Sequence, residues 1–217
     1  MPIFSSPLKL EIIRVINIIT IILVFSAHAY SAVYSSKERY TYLTLSPNFE
    51  AIFWFALYIF QFGYALYAQF YNTRLIHDIV ENVIGYLFAF NNLFMFGWLL
   101  TINNSYLFKK MTSVSEIFIL LFLISTSLAH HRLILNYAPN NDLTPTCVTF
   151  FTHVPFSMLS AYSWFVLFQK GFIDFNYESE WLAVMLIWIM AFIGFAWCFS
   201  GVFSNGRRDF IFSATIA

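Results

Sequence analysis

Six stretches of about 20 residues, each rich in apolar side chains and poor in charge, constrain this chain more than anything else in it. They lie near Ile12–Tyr34, Phe49–Tyr71, Val83–Ile102, Ser115–Tyr137, Phe150–Phe168 and Trp181–Phe203. A helix of that length spans the ~30 Å hydrocarbon layer of a bilayer. Backbone polar groups in lipid must bond within the segment, and an α-helix does this unaided. With 60% hydrophobic and 10% charged residues, the chain departs from the roughly 25% charge of soluble domains. The expectation is an all-α polytopic transmembrane bundle of six spans, forming one integral membrane domain over residues 1–217. After the turn Ser204-Asn205-Gly206-Arg207-Arg208-Asp209 the chain becomes apolar again at Phe210-Ile211-Phe212. Toward Ala217 this reads as the start of a seventh span or an interfacial piece.

The 11 basic and 11 acidic residues cancel, and no basic run offers a surface for nucleic acid. Lys9 and Arg14 precede an apolar run ending Ala27-His28-Ala29, which imitates a secretory signal. We read it as a retained first helix. Six crossings place Lys9, Arg14, Arg74, Arg132, Arg207 and Arg208 in loops on the side of Met1, termed side A. Lys37, Arg39, Lys109, Lys110 and Lys170 fall on side B. Six against five does not set orientation by the positive-inside rule. Asp174, Glu178 and Glu180 beside Lys170 incline side A to the cytoplasm. Tyr40, Tyr42, Tyr71, Tyr137 and Trp181 fall where interfacial anchors are expected. Cys147 and Cys198 have no metal-binding spacing, and Gly194-x-x-x-Cys198, extended by Gly201, hints at close helix packing.

Polar groups at membrane depth are costly and face protein or an aqueous space. Gln61 sits near the middle of the second stretch. Trp54, Tyr58, Gln61 and Ala65 follow at i, i+4, i+7 and i+11, so they share a helical face. An amide on an aromatic face suits a mostly apolar pocket with a few orienting groups; an interhelical hydrogen bond is the plainer reading. Asn91 and Asn92 lie mid-span in the third stretch and point about 100° apart, so both cannot face one neighbour. Ser125, Thr126 and Ser127 can bond to carbonyls one turn back.

Four histidines, His77, His130, His131 and His153, come to similar depth near side A, with Asp78, Glu81, Asp142 and Cys147 nearby in sequence. Zinc takes such donors, and on a helix His77 and Glu81 share a face at i, i+4. A membrane metallohydrolase is therefore one reading. Against it, no H-E-x-x-H occurs and the adjacent pair His130-His131 diverges on a helix. Those histidines otherwise make ordinary hydrogen bonds, with no metal. No nucleophile elbow, phosphate loop or dinucleotide fingerprint is present, which leans against an enzyme.

The segment Ser46–Gln69, SPNFEAIFWFALYIFQFGYALYAQ, resembles the aromatic helix of the tryptophan-rich sensory protein and translocator protein superfamily. There a proline precedes W-x-x-x-Y and then G-x-A. The matching residues here are Pro47, Trp54, Tyr58, Gly63 and Ala65. Asn17, the run Tyr42-Leu43-Thr44-Leu45-Ser46-Pro47, and Pro155-Phe156-Ser157 followed by Trp164 resemble a less characterised multi-pass branch of those proteins. Gly63 lies one residue later than the family spacing, and the family fold has five spans rather than six. The resemblance implies a helical bundle whose aromatic interior takes a hydrophobic ligand, such as a tetrapyrrole or a sterol.

The expected function is a non-enzymatic membrane protein that binds or moves a small hydrophobic ligand, held by Trp54, Tyr58, Gln61, Asn91 and Trp164. A structural or assembly subunit of a larger membrane complex is the alternative from another class. Membrane lipids and protein subunits are the expected partners; the sequence specifies no cofactor and no particular membrane.

Overall fold

The computed structural model describes residues 7–34, 46–103, 112–137, 146–174 and 179–199, and every element among them is helical. The turn at 204–209, the apolar piece after it, the loop cations at 37, 39, 109 and 110, Asp142, Glu178, and Tyr40 to Leu45 lie outside the described residues.

Helix α1 covers Pro7–Tyr34 and α2 covers Pro47–Phe70. Ser46 caps α2 by accepting from the Phe49 N–H at 3.3 Å, and Pro47 opens the first turn, where a missing N–H costs nothing. A short α3, Arg74–Asp78, starts at the Thr73 cap and passes into a π-helical turn, Ile79–Ile84. Helix α4 then runs Leu87–Asn103 and α5 runs Thr112–Asn136. One turn, α6 (Thr146–Val148), and a second π-helical turn, Thr149–His153, lead into α7, Val154–Asp174. Helix α8 covers Glu180–Phe199.

The third sequence stretch does not begin as a straight helix at Val83. Arg74–Ile84 and Leu87–Thr101 meet at a bend of 52°. The bend is made at Gly85, whose N–H reaches back five residues to the Val80 carbonyl at 3.0 Å. Its φ of 55° and ψ of −131° belong to a region open essentially to glycine alone. The second π turn has a different cause: Pro155 has no N–H for the Phe151 carbonyl, and its ring crowds that turn. Lys9 and Arg14, expected in a loop, are both inside α1.

Five helices close a ring. α1 packs on α2 and α4, α4 on α5, α5 on α7, and α7 on α2. Two buried clusters fix the alternating direction of the helices. At end A, where α1 begins, Leu10, Ile13, Tyr64, Ala68, Ile79, Phe88, Leu133 and Phe156 pack together. At end B, Val24, Trp54, Tyr58, Met95, Trp98, Phe122, Leu159 and Tyr162 form the other cluster. Close packing rather than a hydrophobic drive holds such helices in lipid, and Gly97 supplies it: a Cβ there would come within 2.5 Å of the Phe118 ring. Helix α8 lies outside the ring, seated on α7 through Ala161, Ala183 and Met190.

The ring is apolar outside, and its mostly apolar interior also encloses buried polar side chains. Ile52 and Phe55 are 68% and 70% exposed, whereas Gln61 and Asn91 are 0% exposed. Among the described residues, Leu8–Ser31, Asn48–Phe70 and Val114–Asn136 are long and apolar enough to cross a membrane, and the bent pair makes a fourth.

Candidate functional site

Between the two apolar clusters lies a polar layer to which four ring helices contribute side chains. α2 gives Gln61, α4 gives Asn91 and Asn92, α5 gives Ser125 and Thr126, and α7 gives Ser160 and Ser163, all buried. α1 adds Asn17 and Thr20 toward end A. Asn91 and Asn92 can both be buried because α4 has a neighbour on either flank, α1 and α5. The hydroxyls are mostly satisfied locally: Ser125 donates to the Phe122 carbonyl at 3.0 Å, and Thr126 and Ser163 share a hydrogen bond of 3.1 Å across the α5–α7 seam. The amides are not. Neither polar atom of Asn17, Gln61, Asn91 or Asn92 meets a hydrogen-bond partner, nor does the Ser160 hydroxyl. Eight amide atoms lacking partners inside one bundle is a large departure, because buried side-chain polar atoms are nearly always bonded.

Aromatic rings bound this layer at both ends. Toward end A, Tyr64, Phe88 and Phe156, from three helices, enclose the interior with centroids 4.8, 5.4 and 5.7 Å apart. Toward end B, Trp54 stacks on Tyr58 at 5.7 Å and meets Tyr162 edge-on at 4.7 Å. His28 of α1 lies 4.2 Å from the Trp54 ring. The Trp54 indole N–H donates to Glu50 at 3.4 Å, which orients the ring. The structure thus brings Trp54 and Tyr58 into one cluster, with Gln61 a turn further along the same face. It does not bring Trp164 to them. That residue is half-buried in the α7–α8 seam, stacked on Phe168 at 6.3 Å, and Tyr162 occupies the position facing Trp54. His28, named in the sequence only within Ala27-His28-Ala29, joins this cluster; it lies eleven residues from Asn17, three turns along one face.

The side A histidines disperse. His77, in α3 rather than a loop, bonds to Asn72. His130 is buried and meets Ser157 at 3.1 Å, His131 is exposed, and His153 is buried in the second π turn. Glu81, expected beside His77, pairs instead with Lys9 at 3.2 Å. Among the described residues no three His, Cys, Asp or Glu side chains converge on a point that could hold a metal. The donors at this end build a fastening: Asn82 donates to Asp78 at 2.7 Å, and the Tyr137 hydroxyl donates to the other Asp78 oxygen. Burial and the neighbouring Asp78 carboxylate push the Tyr137 phenol up to about 12.

A family model described as TSPO-like protein matches residues 10–217. The chain belongs to the TSPO-like protein family. It is accordingly an integral, multi-pass membrane protein. No curated protein and no solved structure matches it. The five ring helices equal in number the five spans that the translocator resemblance implied; among the described residues α8 is a further long helix outside them.

Proposed function

We propose that this TSPO-like protein binds, and passes between membrane and water, a small hydrophobic ligand seated inside the five-helix ring. Trp54, Tyr58 and Tyr162 give it apolar faces, and Gln61 and Asn91 give it hydrogen bonds. The observation that carries the reading is the amide layer. Gln61, Asn91 and Asn92, buried without partners, cost about 1–3 kcal/mol per buried group, and a chain that only needed a packed bundle gains nothing from them. A ligand with a few carbonyl, hydroxyl or N–H groups on an apolar frame returns that cost when it binds. Porphyrins and sterols have this character, and the family resemblance points to both.

We further propose six crossings, with α7 and α8 completing the four apolar candidates. The outer face of α8, with Trp181, Trp188 and Phe192 all at least 70% exposed, supports a second role as a contact for another membrane subunit. Stoichiometric recovery of a partner in mild detergent, lost with Trp188→Ser, tests that role.

The main reading is tested by titrating a free-base porphyrin and a sterol into the protein in phosphatidylcholine nanodiscs, following tryptophan quenching. At least one should saturate, and Gln61→Leu with Asn91→Leu should weaken it tenfold or more. Equal affinity in the double variant overturns the proposal.

A further inference from the structure

Arginine is among the costliest residues to place inside a membrane helix. Arg14 lies six residues into the apolar segment Leu8–Ser31 of α1, about 9 Å along its axis. An arginine at that depth can extend its head back to the interface. This one is instead turned into the protein and is 6% exposed.

Its guanidinium is half used. Nη1 donates to the Glu11 carboxylate at 2.8 Å, and that carboxylate is 54% exposed at the rim. Nε and Nη2, which form the side-on fork of the guanidinium, are buried without a partner. Glu81, a buried carboxylate among the described residues, lies on the π turn that packs against α1. It is engaged by Lys9 at 3.2 Å. One turn from Arg14, on the same face, the Asn17 amide is 1% exposed and also lacks a partner.

We propose that Arg14 and Asn17 form an oxyanion site at end A of the ring, taking the carboxylate or phosphate of an amphiphile. Two parallel N–H groups on a planar cation match the two oxygens of such a group, and the Asn17 amide adds a third donor. The bound negative charge neutralises a buried cation that Glu11 reaches on one side only. The chemistry is common to a membrane lipid, a fatty acid and a free anion from the water phase. The site stands apart from the amide layer at Gln61 and Asn91, so either can fail without the other.

The test uses the full chain in phosphatidylcholine nanodiscs and reads the thermal midpoint against probe concentration. Laurate is compared with dodecanol, which has the same chain and no charge. Separate arms add phosphatidic acid to the bilayer or inorganic phosphate to the buffer. Laurate or phosphatidic acid should raise the midpoint where dodecanol does not, identifying an amphiphile. A rise with inorganic phosphate alone supports the oxyanion site and assigns it a water-borne ligand. Arg14→Lys keeps the charge without the fork and should weaken binding about tenfold or more; Arg14→Gln should abolish it; Gln61→Leu should leave it unchanged. The proposal is overturned if no anionic probe exceeds its neutral counterpart in the unaltered protein. It is equally overturned if Arg14→Lys and Arg14→Gln keep the full shift. Should Arg14→Gln not fold, the laurate and dodecanol comparison and Arg14→Lys still decide.

Discussion

Two residues of similar chemistry, Asn92 and Asn82, show what membrane depth does to an amide. Asn82 is exposed and donates to Asp78 at 2.7 Å, whereas Asn92 is 1% exposed and neither of its polar atoms has a partner. Removing a lone buried amide is favourable when its replacement fills the same space. Asn92→Leu should therefore raise the thermal midpoint of the ligand-free protein, by the equivalent of about 1 kcal/mol. A fall in the midpoint would mean that the amide ties two helices. Tyr137 carries the pH dependence at end A. Its phenol is raised from the ordinary value of 10.0 to about 12, so the folded state favours the protonated, donating form. The contribution of its bond to Asp78 is complete below pH 10 and is lost as pH rises from 10 through 12. Ultraviolet titration, taken as the difference between the protein and Tyr137→Phe, should place this phenol near 12, and Asp78→Asn should lower it.

Elements were legible where polarity changes along the chain, and not where only geometry does. Charged residues mark gaps between the apolar stretches, Lys37 and Arg39 in one and Lys109 and Lys110 in another; the described helices overlap the stretches, with the third broken at Gly85. The turn at Gly85 is not legible in the sequence because it lies between Ile84 and Tyr86, inside a run whose apolarity does not change; backbone handedness leaves no trace in hydropathy. Gln61 was legible as a candidate because an amide inside an apolar stretch is conspicuous. Trp164 and Tyr162 cannot be ranked from the sequence alone: they lie two positions apart, about 200° around the helix, and both sides of α7 are aromatic. Ring order was hidden for the same reason, since lipid-facing and core-facing positions carry the same residue types. The bend itself is open to test. Gly85→Ala places a Cβ on a backbone with φ of 55°, at a cost of about 1–3 kcal/mol. Thermal unfolding in nanodiscs should show the loss, and an unchanged midpoint would mean that the turn at 85 can relax to ordinary φ.

At the scale of the whole molecule, the six crossings we propose would put the two ends of α7 on opposite faces of the membrane. Cys147, exposed beside Tyr67, belongs to end A, and Ser179, just before α8, belongs to end B. In sealed vesicles a membrane-impermeant maleimide should reach Cys147 from one side and a cysteine placed at Ser179 only from the other. Labelling of both from one side would mean that α7 does not cross. The closure of the ring also sets an order of events during synthesis. Helix α2 has two neighbours in the ring, α1, made before it, and α7, made after roughly 80 further residues; at ~5–20 residues per second that interval is on the order of ten seconds. Through that interval the flank of α2 destined for α7 has only lipid or an insertion factor to face. The newborn chain is therefore an open arc, and the seam between the second and last ring helices is the last to close.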